Sequence, residues 1–287
     1  MSDLMHDVER LFGHPSGETL PDDAAAVVER LLAALEDGTL RSAQRRDDGT
    51  WVAVPWVKRG ILVAFRAGTI VSVPGPGGPP VAPGEPAAFL DKHNLPTRRF
   101  DPSGGVRVVP GGSAIRRGSH IAAGVVCMPP MYVNVGAFVG AGTMIDSHAL
   151  VGSCAQVGER VHLSAAAQIG GVLEPINAAP VVIEDDVTVG GNAGVYEGTV
   201  VRRRAVLGAG VVLTRGTPVF DLVNETTIRA DRDRPLEIPE DAVVVAGARA
   251  VTSEWGRATG LSLYTPVIVK YRDERTDAAT ALEDWLR

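Results

Sequence analysis

Between Ile115 and Leu213 an apolar residue, nearly always aliphatic, recurs at every sixth position. Ile115, Ile121, Cys127, Val133, Val139, Ile145, Val151, Val157, Leu163 and Ile169 hold one register. An interruption follows at "GVLEPINAAPVV", and the register resumes at Ile183, Val189, Val195, Val201, Leu207 and Leu213. Four places after each, the residue is small or aliphatic nearly throughout, as in Ser119, Val125, Ala137, Thr143, Ala149, Ala205 and Val211. A period of six fits neither a 3.6-residue helix nor, as a repeat unit, a two-sided strand. It is the signature of a parallel β-helix. Each hexad supplies one short strand and a corner, and three hexads close a triangular coil of about 18 residues. Coils then stack at roughly 4.8 Å, the ordinary strand spacing. The aliphatic points inward, each burial contributing roughly 1.5–3 kcal/mol. The small residue four places on fits the tight interior near the corner. Glycine often follows the aliphatic, which we read as the place where the backbone turns sharply. The extra residues at 174–182 must leave the coil as a loop, where function often sits.

The rest of the chain divides around this repeat. Residues 1–105 read as a small α+β domain ending in a Pro/Gly linker. In it, 21–38 is an amphipathic helix capped by Asp22 or Asp23 and stopped at Gly38. Residues 49–66 read as one or two strands around a bend, and the Pro/Gly-rich stretch 73–86 as a loop. The β-helix spans 106–222. Residues 223–287 form a C-terminal cover: a loop and a final hexad-like strand in 229–251, a strand over 261–273, and a short helix over 276–287 starting at Thr276 or Asp277. Such a cover closes the open end of the coil.

Composition narrows the function classes. With 45% hydrophobic and 22% charged residues, this is a globular chain. A net charge of −6 disfavours nucleic acid, which needs a basic face. There is no run of 18 apolar residues and no charged-then-apolar leader pattern, so no membrane partner and a cytoplasmic location are expected. Cys127 and Cys154 form no CxxC pair and suit a reducing compartment.

Several stretches go further than the bare repeat. "RVVPGGSAIRRGSHIA", "PPMYVNVGAFVGAGTMIDSHALVGSCAQVGERVHLS" and "IGGVLEPINAAPVVIEDD" resemble the tetrahydrodipicolinate N-succinyltransferases. So do "LEDGTLRSAQRRDDGTWVAVPWVKRGILVAFR" near the N-terminus and "LSLYTPVIVKYRDERT" near the C-terminus. The resemblance implies a left-handed parallel β-helix and a homotrimer with substrate clefts between neighbouring subunits. It implies succinyl-CoA as co-substrate, no bound cofactor and no metal. Residue by residue, it places an acceptor-carboxylate ligand at Arg107 and an amine-contacting candidate base at Asp146. A family Glu falls on Glu197, whereas another falls on Gly194, so one carboxylate is missing here. His148 stands where the family usually has Trp, and Ser164–Ala166 where it has Ser-Gly-Gly.

Acyl transfer from a thioester to an amine requires an oriented neutral amine, hydrogen-bond donors for the thioester oxygen and a base for the proton. Asp146 follows the inward Ile145, so its carboxylate should point out at a corner; a corner Asp can equally satisfy turn N–H groups. Arg107 offers the bidentate partner a dicarboxylate needs. Arg116 and Arg117 are weaker candidates for a second carboxylate. Glu197 is a candidate to support Asp146. Gly170 and Gly171 allow close backbone approach and are candidates for the pantetheine and acyl passage, with Glu174 and the loop after it projecting toward a neighbour. The run "VRRRAV" (201–206), Arg215, Arg249 and Lys270 are candidates for CoA phosphates. His148 and His162 offer an alternative base, though ordinary outward-facing positions explain them as well. Three other readings compete: an acetyl-CoA-dependent transferase on the same or a related amino acid acceptor, a zinc lyase using His120, His148 and His162, and a non-catalytic β-helix. The histidine spacing is out of step with a coil.

Overall fold

Two-residue strands, one per hexad, stack into three parallel sheets that form the sides of a prism. The computed structural model describes residues 2–74, 85, 89–232 and 234–276. The first face runs from His120–Ile121 through Phe138–Val139 and Gln156–Val157 to Glu237–Ile238. The second starts at Arg107–Val108 and includes Met144–Ile145 and His162–Leu163. The third includes Leu150–Val151, Gln168–Ile169 and Gly194–Val195. Every strand pairs in register with the equivalent strand one coil away: Met144 lies opposite Val126 and His162, and Ile145 opposite Cys127 and Leu163. The sixth-position residues and the small residues four places on fill one continuous core.

The turn lies elsewhere than the sequence suggested. The glycine after each aliphatic does not carry the left-handed conformation. That falls three places after the aliphatic, at Gly136 (φ 76°), Gly142 (φ 67°), His148 (φ 63°), Cys154 (φ 66°) and Arg160 (φ 52°). Gly140 and Gly152 are needed because the next coil comes too close. A Cβ on Gly140 would lie 2.5 Å from the carbonyl carbon of Gly158, and one on Gly152 2.2 Å from the nitrogen of Gly171. At the equivalent place between the second and third faces, Met128, Asp146 and Ser164 all carry side chains. In these coils that corner therefore has room for a functional group, whereas Gly190 and Gly208 stand there in the two coils that follow.

The repeat also continues further than its sequence signal. Glu237–Ile238 stacks on Val200–Val201, and the strand Ala242–Ala250 begins on Val206–Leu207. Ala242–Ala250 then pairs antiparallel with Ser262–Tyr271, which also pairs with Val219–Asp221. Of the expected helix over 276–287, all but Thr276 lies outside the described residues.

The N-terminal unit contains α1 (Ser2–Phe12), α2 (Ala24–Glu36), β1 (Ala43–Arg45), β2 (Trp51–Ala53), α3 (Pro55–Ala67), β3 (Ile70–Val73) and β4 (Phe89–Lys92). Helix α2 lies where expected, although the Asp23 side chain makes no cap bond. The expected strands over 49–66 are corrected: β2 is three residues long, and α3 follows. Pro55 occupies its first turn, where a missing N–H costs nothing. Val57, Ile61 and Ala64, at helical spacing, are buried. Helix α1, built on Leu4, Val8 and Leu11 at the same spacing, has no counterpart among the expected elements. Residues 75–84 and 86 of the expected Pro/Gly loop lie outside the described residues. The helices share a second core with Val135 and Cys154, which stand at the corner between the third and first faces. No helix among the described residues is long and apolar enough to cross a membrane.

Candidate active site

Two groups of predicted residues emerge, at different corners of the prism. Arg107 and Asp146 belong to the second face. Arg107 opens the exposed strand that pairs with Val126, and Val126 pairs with Met144, two residues before Asp146. At strand spacing this sets Arg107 and the Asp146 strand about 10 Å apart along the stack. The Asp146 backbone N–H donates to the Leu163 carbonyl at 2.9 Å. One carboxylate oxygen, Oδ1, accepts from the Ser147 N–H at 2.7 Å. The other has no hydrogen-bond partner among the described residues. The turn role and an open oxygen therefore coexist in one side chain.

Gly170, Gly171, Glu174 and Glu197 meet at the corner between the third and first faces, in a cleft of about 1140 Å³. Its floor is the coil itself, with Gly170, Gly171, Tyr196, Glu197, Thr214 and Arg215. One wall is the extruded loop, the other the end of the β1–β2 hairpin and the start of α3, with Trp51 and Pro55. The loop is tied to α3 by Lys58, a fully buried lysine whose Nζ donates to the Ala178 carbonyl at 2.6 Å. Burial pushes the Lys58 ammonium below its ordinary range. The Gly170 N–H is used by the coil ladder, donating to Val195, while Gly171 is exposed. Glu197 is exposed and accepts from the Arg215 N–H at 2.9 Å.

Within one chain Glu197 does not reach Asp146. Leu150–Val151, which follows Asp146, pairs with Gln168–Ile169, and that strand pairs with Gly194–Val195, which precedes Glu197. The two carboxylates are thus two coils apart and at different corners.

Other candidates have structural partners. Arg116 pairs with Asp91 and lies over the Phe65 ring, and Arg117 pairs with Glu29 and Glu36, so both fasten the N-terminal unit to the coil. Arg202, Arg203 and Arg204 form ion pairs with Glu184, Glu237, Glu240 and Asp241. Burial works against the Glu184 carboxylate, but hydrogen bonds from Trp51 and Arg202 still hold it below its ordinary range. Lys270 pairs with Asp273. Of the proposed phosphate ligands only Arg215 lines the cleft, joined by Arg232, which sequence reasoning missed. The histidines are dispersed: His120 on the first face, His162 on the second, and His148 exposed at the corner after it. His120 stacks on Phe138 at 4.6 Å and bonds the Glu36 carbonyl at 2.9 Å. No metal-binding group of three or more His, Cys, Asp or Glu occurs among the described residues. Cys127 and Cys154 are free and buried, and burial pushes their thiols up to about 12 and about 11.

Tyr196 and Trp51 were not singled out as site residues from sequence. The signal for Tyr196 was present: an aromatic at a corner position where the preceding coils carry Gly152 and Gly170.

Comparison with known proteins adds what geometry alone does not. Residues 3–67 match the family model for the tetrahydrodipicolinate N-succinyltransferase N-terminal region, and residues 180–215 that for the hexapeptide repeat of succinyl-transferase. The chain is 42% identical over 277 residues to the 2,3,4,5-tetrahydropyridine-2,6-dicarboxylate N-succinyltransferase of Polynucleobacter asymbioticus, covering 95% of this chain and 93% of that protein. The protein of the same name from Paramagnetospirillum magneticum is 40% identical over 265 residues, covering 91% and 89%. Among solved structures, one from Campylobacter jejuni carrying the name 2,3,4,5-tetrahydropyridine-2-carboxylate N-succinyltransferase has a TM-score of 0.52 at 16% identity. It covers 85% of this chain and 62% of that one, and bears on the fold alone.

Proposed function

We propose, because the chain belongs to the tetrahydrodipicolinate N-succinyltransferase family, that it transfers a succinyl group from succinyl-CoA to the amine of ring-opened tetrahydrodipicolinate in diaminopimelate and lysine synthesis. The observation that carries this reading is the 42% identity to an N-succinyltransferase across 95% of the chain. The fold supports it with an open Asp146 oxygen at one corner and a glycine-floored cleft at another.

The proposed chemistry follows from those positions. Arg107 holds an acceptor carboxylate as a bidentate donor. Asp146 orients the amine and receives its proton as the nitrogen attacks the thioester carbon. The tetrahedral intermediate collapses with cleavage of the C–S bond. The departing sulfur takes up the proton, giving free CoA and the N-succinyl product. Gly170 and Gly171 let the pantetheine arm lie against the backbone, while Arg215 and Arg232 face the phosphates.

Because one chain keeps Asp146 and the cleft at different corners, the working site is assembled from two copies. The second face of one copy meets the cleft of its neighbour, and a closed ring of three such heterologous contacts is a homotrimer. The cytoplasm, where acyl-CoA is made and thiols stay reduced, is the proposed location.

The test is thiol release by the purified protein from succinyl-CoA and, in parallel, acetyl-CoA, with tetrahydrodipicolinate as acceptor. Acceptor-dependent release favouring succinyl-CoA is expected. A preference for acetyl-CoA would change the donor, and no release from either would contradict the transferase reading.

A further inference from the structure

The cleft floor contains an aromatic side chain whose placement depends on two glycines. Tyr196 follows the inward Val195 at the corner between the third and first faces, directly above Gly170 in the stack. Its ring does not point straight out. It folds back over the third face, across Gly194. A Cβ on Gly194 would lie 2.5 Å from Tyr196 Cε2 and 2.8 Å from its hydroxyl oxygen. A Cβ on Gly170 would lie 2.7 Å from Tyr196 Cδ1. Contacts below 3.0 Å are not tolerated by a well-packed side chain, so any other residue at either place expels the ring. Gly194 is buried, with the ring standing over it, although it occupies an outward strand position between Gln168 and Val212. The phenol thus takes the volume that a side chain on residue 194 would fill.

The Tyr196 hydroxyl has no hydrogen-bond partner among the described residues. Its ring is half-buried in the floor of the cleft that Gly171, Glu197, Arg215 and Arg232 also line. A phenol that is fixed in place but unpartnered offers one O–H donor. Both proposed substrates carry carboxylates, the acceptor two and the succinyl group one. A neutral hydroxyl donor suits a carboxylate oxygen there.

We infer that Tyr196 is a substrate-contacting residue of the transferase site, its hydroxyl donating to a substrate carboxylate oxygen, and that Gly194 and Gly170 are kept small to hold its ring there. This rests on the transferase reading above. It makes the glycine at 194 one half of an exchange in which the neighbouring tyrosine supplies the polar group.

The test is steady-state kinetics of Tyr196→Phe beside the parent protein, with KM measured separately for succinyl-CoA and for the acceptor. Phe keeps the ring and the packing, so the melting temperature stays at the parent value. Loss of a hydrogen bond to a charged group is expected to lower kcat/KM by about 10- to 100-fold. A rise confined to the KM for succinyl-CoA assigns the bond to the succinyl carboxylate; a rise confined to the acceptor assigns it to the acceptor. Gly194→Ala, which displaces the ring, gives at least as large a loss. Parent-like kinetics in Tyr196→Phe would overturn the inference while leaving the transferase reading intact. No thiol release by the parent would remove both.

Discussion

Asp146 carries two requirements on one side chain. One oxygen holds the Ser147 N–H and so shapes the corner; the other is open for chemistry. Asn retains the acceptor oxygen but cannot take a proton. Asp146→Asn should therefore keep the parent melting temperature while kcat falls by about 10²–10⁴-fold. A variant with parent kcat would remove Asp146 as the base. His120 gives a second prediction at this scale. Burial holds its pKa below the ordinary value; the bond to the Glu36 carbonyl opposes this, while Arg98 and Arg41 reinforce it. A depressed histidine pKa means that the unfolded chain binds the proton first. The stability His120 contributes is present above about pH 6.5 and is lost as the pH falls through and below that value. In denaturant titrations from about pH 7.5 to 5, His120→Phe should show a shallower loss of stability than the parent. An identical slope would contradict the assignment. The hexad register set the outward direction of Asp146 in advance, and the family resemblance singled it out as the candidate base. The Tyr196 placement was not, because ring direction depends on glycines in the adjacent coil.

Elements were legible in proportion to how strictly packing repeats. Each coil sets the same demand on its inward positions, so the period shows directly in the residues. Of the two last strands of the coil, Glu237–Ile238 and Ala242–Ala250, only one hexad-like strand within 229–251 was legible, because neighbouring elements, not the hexad rule, fill their surroundings. Across β2 and the start of α3 the stretch "WVAVPWVKRGILVAF" is apolar on too many positions for period two and period 3.6 to separate. The expected strands miss α3 because they pass over Pro55, which marks the first turn of the helix. Gly152→Ala tests the account of the glycines. With the added carbon 2.2 Å from the Gly171 nitrogen, the coils must part, at a cost of about 1–3 kcal/mol. Gly216→Ala, with open space around it, should stay within about 0.5 kcal/mol of the parent. Equal melting temperatures for the two variants would contradict this. The extruded loop makes its own prediction through Lys58. Lys58→Met removes the only donor to the Ala178 carbonyl among the described residues, at a cost of about 1–3 kcal/mol. The loop wall of the cleft should loosen, with faster proteolysis within 172–179 and a raised KM for acyl-CoA. Unchanged proteolysis and KM would contradict a positioning role.

At the scale of the molecule, the N-terminal unit is a built-in wall of the site. Arg41 links it to the coil: Nε donates to Gln156 at 2.8 Å, and the guanidinium lies 3.7 Å from the centre of the Phe138 ring. Burial lowers its pKa to about 10, so it still carries its charge at neutral pH. Ser42 bonds the Gly136 and Cys154 carbonyls, and Trp51 reaches Glu184. None of these pairings across the chain was visible in sequence, because each joins residues far apart along it with no periodic trace. The family resemblance implied clefts between neighbouring subunits; that Asp146 and Glu197 of one chain stand at different corners follows from counting coils in three dimensions. The central claim is that Asp146 of one copy works with the cleft of its neighbour. The most direct measurement is activity complementation between Asp146→Asn and Glu197→Gln, assayed separately and then as mixed trimers formed by co-expression. Each variant alone should be strongly impaired. Random mixing should restore up to about one quarter of the parent activity, from interfaces where an intact Asp146 faces an intact Glu197. Impaired single variants with no recovery in verified mixed trimers, or a fully active Glu197→Gln, would contradict a site shared between copies.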